Sequence, residues 1–224
     1  MEKLITFGVV VLSALYLQAF DTFRDAFADG QEKLKAKNWV EAIKSFEQAA
    51  KKGNDSEKAN AFYYIGESYR NNGQREEAIA AYTAGVALTK APADIRALMQ
   101  NRIGACYLEL NKYDESIAEY KKTYAISNAA SGYLHGARIG LAYVLCNQKE
   151  YAEAIKYYRE VVAGTNVHVP FLNEAQFTIG QCYYNLGDLA KAKEEFNKVL
   201  LLKQVDAAYK KKTEEMLAQI ASEE

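Results

Sequence analysis

Apolar residues in this chain fall three and four apart, the spacing that brings side chains onto one face of a helix. Ile65, Gly66 and Tyr69 make one such stripe, and Ala78, Ile79 and Tyr82 make another a short turn later. The pattern then repeats. Residues 103–120 read IGACYLELNKYDESIAEY and residues 179–196 read IGQCYYNLGDLAKAKEEF, the same phrase 76 residues apart. Aligning on it yields five copies, with a small residue at Gly30, Gly66, Gly104, Ala142 and Gly180 and spacings of 36, 38, 38 and 38. Twelve residues after each stands a second small residue: Ala42, Ala78, Ser116, Ala154 and Ala192. Four further on stands an aromatic: Phe46, Tyr82, Tyr120, Tyr158 and Phe196.

Each copy therefore predicts two helices joined by a short turn, such as Asn71-Asn72-Gly73-Gln74 or Leu186-Gly187-Asp188, where Gly or Asn can take the left-handed closing position. The small residues let two helices cross closely, and the aromatic fills the wedge between that pair and the next first helix. One pair cannot bury its own apolar face, so the copies must stack. Between the small residues lies a further apolar position, at Trp39, Tyr113, Tyr151 and Leu189, broken by Arg75 in the second copy. Residues 205–224 place Ala208, Tyr209, Met216, Leu217 and Ile220 on or near one face, opposite Lys210–Lys212 and Glu214–Glu215, as a final helix capping the array.

The register over about residues 22–203 resembles the tetratricopeptide repeat, TPR, in which a Gly or Ala and then a Tyr on the first helix are followed by an Ala and an aromatic on the second. Tyr69, Tyr107 and Tyr183 fill the Tyr position, with Leu145 and Lys33 in its place in the fourth and first copies. The period exceeds the family's usual 34 residues, and the Pro that often closes the second helix is absent. The resemblance implies an all-α fold: a right-handed superhelical solenoid of five TPR-like helix-turn-helix pairs, residues 21–204, plus the C-terminal capping helix. Low Pro content, 2 residues in 224, agrees with a nearly all-helical chain.

Charge excludes some classes of function. The 28 basic and 29 acidic side chains nearly cancel, and no long single-sign run offers an electrostatic footprint for nucleic acid. Residues 4–20, LITFGVVVLSALYLQAF, carry no charge and follow a short charged start. They read as a signal peptide cleaved after Ala19, with a membrane anchor through the N-terminus or an apolar helix of a cytoplasmic protein as the alternatives. Export places the chain in the periplasm or outside the cell.

Chemistry leaves little trace. His135 and His168 lack neighbours at ligand spacing and read as surface or loop residues, so no metal site is expected. Cys106 and Cys182 hold the same slot two copies apart, too far for a bridge, and with Cys146 they are expected to be three buried, unpaired thiols. No phosphate loop, nucleophile elbow or carboxylate pair stands out. No catalytic residue, cofactor or small-molecule substrate is predicted, and the chain reads as a non-enzyme.

What the resemblance implies instead is a scaffold that binds a peptide or helix of a partner protein in a concave groove. The repeats look like those of bacterial cell-envelope proteins of the Tol-Pal accessory and outer-membrane assembly type; the rival is a cytoplasmic co-chaperone or adaptor. The family's inner positions, three before, one after and four after the small residue, fall on Phe27, Tyr63, Glu67, Arg70, Asn101, Tyr143, Phe177, Gln181 and Tyr184. Leu108, Ile139 and Cys146 occupy such positions too, but their character suits packing between helices. The mixture of aromatics and amides suits a peptide backbone or an apolar anchor.

Overall fold

The structure, a computed structural model, describes residues 22–223; the apolar leader, residues 1–20, lies outside them. The described residues form eleven α-helices: α1 Phe23–Lys35, α2 Trp39–Lys52, α3 Asp55–Asn71, α4 Arg75–Val86, α5 Ala93–Glu109, α6 Tyr113–Thr123, α7 Ser131–Asn147, α8 Tyr151–Val162, α9 Val169–Asn185, α10 Leu189–Leu200 and α11 Ala207–Glu223. The second helix of each pair begins at the position held by Trp39, Arg75, Tyr113, Tyr151 and Leu189.

All five pairs turn in the same way, and the reason is backbone geometry. The residue seven after each small position has positive φ: Lys37 at 60°, Gly73 at 84°, Asn111 at 57°, Lys149 at 64° and Gly187 at 78°. The next N–H then reaches back over the turn, Asn38 to Lys33, Gln74 to Tyr69, Lys112 to Tyr107, Glu150 to Leu145 and Asp188 to Tyr183, each bond 2.8–3.0 Å. This closure satisfies carbonyls that a helix end would otherwise strand. Gly and Asn fill three of the five positions, as the sequence suggested. Lysine fills the other two.

In four of the five pairs the ring of the aromatic closes on the glycine of the first helix. A methyl group built on Gly30 would meet the Phe46 ring at 2.7 Å, one on Gly104 the Tyr120 ring at 3.0 Å, and one on Gly180 the Phe196 ring at 2.7 Å. Tyr82 closes on Gly66 more tightly still. Tyr120 also presses on Gly140 of α7, so its ring is wedged between one pair and the next first helix. Ala42, Ala78, Ser116, Ala154 and Ala192 are wholly buried at the same crossings. Ser116, the polar exception, donates its hydroxyl to the Gly104 carbonyl at 2.7 Å.

Two charged departures from the repeat pattern have local explanations. Lys33, in the tyrosine position, donates to Asp29 at 2.7 Å and to Ser45 at 3.0 Å, tying α1 to α2 through a polar link. Arg75 donates its guanidinium to the Arg70 carbonyl at the end of α3.

The chain divides into two units, with the boundary inside α5 between Met99 and Gln100. In the first, Ala42, Ile43, Phe46 and Ile65 form the core, and Phe46 stacks on Tyr64 with ring centroids 5.3 Å apart. In the second, α7, α8 and α9 pack around Tyr120, Leu141, Val144, Tyr158 and Ile179. A separate cluster of Phe177, Phe196, Val199 and Ile220 joins α9, α10 and α11, with Tyr209, Met216 and Leu217 against it. His135 sits inside α7 at 6% exposure, with Nδ1 lacking a partner, rather than on the surface. Its helix is apolar over much of its length, so a polar residue on the inward face is carried into the core. His168, at the N-cap of α9, is exposed as expected.

Candidate functional site

Within the first unit, the inner-position residues come from α1 and α3. Phe27 stacks on Phe23 at 5.1 Å and meets Phe46 and Tyr64 edge-on at 5.3 Å each, which makes it part of the core wall. Tyr63 is half-buried and lies 5.1 Å from the Tyr64 ring. Glu67 accepts the Tyr82 hydroxyl at 2.5 Å, which ties its carboxylate to α4. Arg70 is half-buried near the end of α3. A depression of about 640 Å³ in this unit is lined by Glu47, Ala50, Lys51, Lys58, Phe62 and Ile65, and by none of these four.

The second unit carries a site at which several inner positions gather. A cleft of about 520 Å³ opens between α7, α9 and α11. Tyr143 and Cys146 of α7 form one wall. Glu174, Phe177, Thr178, Gln181, Cys182 and Asn185 of α9 form the floor, and Tyr209, Lys212, Glu215, Met216 and Gln219 of α11 form the opposite wall. Tyr143 is 50% exposed, a large aromatic that the fold leaves uncovered. Burial raises the pKa of Glu174 above the ordinary carboxylate value. The Lys212 ammonium lies 5.5 Å from the centroid of the Tyr209 ring. The cleft thus offers an aromatic anchor, three amides and charges of both signs, which suits a peptide and its backbone.

Tyr143, Phe177 and Gln181 meet at this cleft, but three sequence expectations need correction. Phe177 is only 6% exposed, because α11 covers it: its ring packs 5.6 Å from Tyr209 and 5.4 Å from Phe196. It shapes the floor and cannot project as an anchor. Asn101 is not open to a ligand either. Its Nδ2 donates to the Tyr133 carbonyl at 2.9 Å and its Oδ1 accepts from Thr123 at 2.7 Å, so both amide atoms bind α5 to its neighbours. Tyr184 lies beyond the cleft lining and is engaged by α11, donating to Glu223 at 2.7 Å and accepting from Gln219 at 2.6 Å. For Phe177 and Tyr184 the cause is the final helix, which uses inner positions of the last pair that would otherwise face solvent. Ile139 is buried, and Leu108 packs against the core, as their character suggested.

The cysteines also differ from expectation. Cys106 and Cys182 are buried, but Cys146 is half-buried on the cleft wall, with its sulfur 3.4 Å from that of Cys182. Spacing between Cys106 and Cys182 had concealed this pair, which joins neighbouring first helices. Position four after the small residue in one copy meets position two after it in the next. Among the described residues, no group of three or more His, Cys, Asp or Glu is placed to hold a metal ion.

Tetratricopeptide repeat models match residues 27–95, 97–129, 136–168 and 173–204, together most of the chain. Among curated protein sequences none matches. The fold is shared with MamA at 20% identity and a TM-score of 0.62, covering 80% of this chain and 91% of that one. Aspartyl phosphate phosphatase F from Bacillus subtilis aligns at 24% identity and a TM-score of 0.66, covering 85% of this chain but 51% of its own. A chain of the APC/C hetero-tetramer Cut9-Hcn1 aligns at 19% identity and a TM-score of 0.60, covering 89% of this chain and 36% of its own. With helix hairpins closed by one recurrent turn, a small residue under an aromatic in four of the five crossings and Ala142 at the fifth, and repeat models along most of its length, the chain belongs to the tetratricopeptide repeat family.

Proposed function

We propose that this protein-interaction scaffold holds a peptide or short helix of a partner protein in the cleft between α7, α9 and α11, and that it acts without catalysis. The observation that carries the reading is Tyr143, half-exposed above a floor that also presents Gln181 and Asn185. An aromatic ring in a concave site is a common hot spot, and amides can pair with the backbone of an extended segment. A structural neighbour that is itself part of a hetero-tetramer is consistent with a role in assembly.

The test is a photo-crosslinking residue placed at Tyr143, with a second at Lys121 on the exposed face of α6 as the control. A partner joined at Tyr143 and not at Lys121 supports the cleft, and the reverse result assigns binding to the outer face. Once the partner segment is known, Tyr143→Ala is expected to weaken its binding by about 2 kcal/mol, measured by titration. Reversal of the outer charges Glu76, Glu77, Lys121 and Lys122 is expected to leave it unchanged.

We also propose a location in the bacterial cell envelope, supported by the uncharged run at residues 4–20. Mass spectrometry of protein from its host is expected to place the mature N-terminus near Phe20 or Asp21. Retention of Met1–Ala19 in a soluble fraction favours the cytoplasmic adaptor reading instead.

A further inference from the structure

The thiols of Cys146 and Cys182 lie 3.4 Å apart on adjacent helices, α7 and α9. A disulfide requires about 2.05 Å between sulfurs, so closure asks for a movement of little more than an ångström, within reach of side-chain rotation and a small helix adjustment. The two sulfurs are not equivalent. Cys146 is half-buried on the wall of the open cleft, whereas Cys182, in its floor, is only 1% exposed. A negative charge is better tolerated on the sulfur that water can reach, and the buried S–H is positioned to donate to it. In accord with this, the hydrogen bond with Cys182 lowers the pKa of Cys146 from the ordinary thiol value, against the opposing effect of burial. The same bond, together with burial, pushes Cys182 up. One member of the pair is thus an accessible nucleophile, and the other is held in place to resolve what it forms.

We propose that Cys146 and Cys182 constitute an oxidisable dithiol site, with a peroxide as oxidant entering through the cleft. In the first step the Cys146 thiolate attacks one oxygen of hydrogen peroxide. The S–O bond forms, the O–O bond breaks, and hydroxide leaves and takes up a proton as water. Cys146 is now a sulfenic acid. In the second step the Cys182 sulfur attacks the Cys146 sulfur. The S–S bond forms and the S–O bond breaks, and the departing hydroxyl takes the proton released by Cys182 to leave as water. Two thiols have lost two electrons, and one peroxide has become two water molecules. The product joins α7 to α9 across the cleft wall and is reversed by a dithiol reductant.

This inference is independent of what the cleft binds. The experiment uses the full reduced chain at low concentration, treated with graded hydrogen peroxide, quenched, denatured, alkylated and mapped by mass spectrometry. Two of the 3 thiols are expected to disappear together, with loss of two hydrogen atoms from the intact mass and a linked peptide pair containing Cys146 and Cys182. Cys106, wholly buried in α5, is expected to remain alkylatable after denaturation. In Cys182→Ser, oxidation is expected to halt at a Cys146 sulfenic acid that dimedone traps, at least 10-fold more than in the unsubstituted chain. Sulfinic acid at Cys146 beside an alkylated Cys182 would overturn the proposal. So would a bridge through Cys106 or between two chains, or three free thiols at a peroxide dose that fully oxidises free cysteine.

Discussion

At the scale of single residues, two kinds of position govern how the repeats pack, and only one of them shows in the sequence. The small residue under the aromatic shows because no other side chain fits there: the Phe196 ring leaves 2.7 Å for a methyl group on Gly180. Gly180→Leu is therefore expected to force α9 and α10 apart and destabilise the chain by about 1–3 kcal/mol or more, read as a lower denaturation midpoint. The left-handed closing residue is hidden where a lysine fills it. Nothing about Lys37 or Lys149 announces φ values of 60° and 64°; the turn imposes them, and the chain carries the strain. Left-handed backbone costs a residue with a Cβ roughly 1–2 kcal/mol, and glycine escapes most of this at the expense of some unfolded-state entropy. Lys149→Gly is expected to stabilise the fold by about 0.5–1 kcal/mol, measured by chemical denaturation. An unchanged or lower midpoint would show that the Lys149 side chain contributes something beyond filling the turn.

At the scale of the helix, hydrogen bonds explain where the groove expectation and the structure part. Gln100 donates to the carboxylate and carbonyl of Glu119 at 2.6 and 3.2 Å, and Gln176 donates in the same way to Glu195 at 2.7 and 3.2 Å. Both glutamines stand four before the small residue and both glutamates fifteen after it, so this clamp is part of the repeat in the third and fifth pairs. Asn101 extends the same logic to α7. Read one helix at a time, an amide three before the small residue looks ready for a ligand, because helical periodicity says which face it shares and not what covers that face. The same limit applies to α11: its amphipathic pattern announced a cap, but not that Tyr209 would close over Phe177. Asn101→Ala is expected to strip Thr123, which is wholly buried, of its acceptor and to destabilise the fold by about 1–3 kcal/mol, with little change in partner affinity. A loss of affinity at an unchanged melting temperature would return Asn101 to the binding face.

At the scale of the whole molecule, nearly balanced charge leaves the response to pH in the hands of a few buried groups. Burial, helped by the nearby Arg138, lowers the pKa of His135 below 6.5. As pH falls through 6.5 the unfolded chain takes up a proton that the folded chain still refuses, so stability is complete above that value and declines toward the folded-state pKa. Asp29, held low by bonds from Lys33 and Ser45, and Asp188, held low by Lys191, act in the same direction. Their contribution is retained above about pH 4 and lost only as pH falls below that, and it is small because both pairs are solvent-screened. On the alkaline side the sign reverses. Burial pushes Tyr124 up to about 12 and Tyr158 up further, so above about pH 10 the unfolded chain ionises first and stability falls. The denaturation midpoint is therefore expected to be flat from about pH 7 to 8, to decline between pH 6.5 and 5, and to fall on the alkaline side as the unfolded chain ionises first at Cys182 and then at the two tyrosines. His135→Gln removes the histidine contribution to the middle window and leaves the opposing one of Glu174, whose pKa burial raises, so it is expected to abolish or reverse the decline between pH 6.5 and 5 while leaving both outer limbs in place. A decline there that persists undiminished in the variant would show that His135 is not its source.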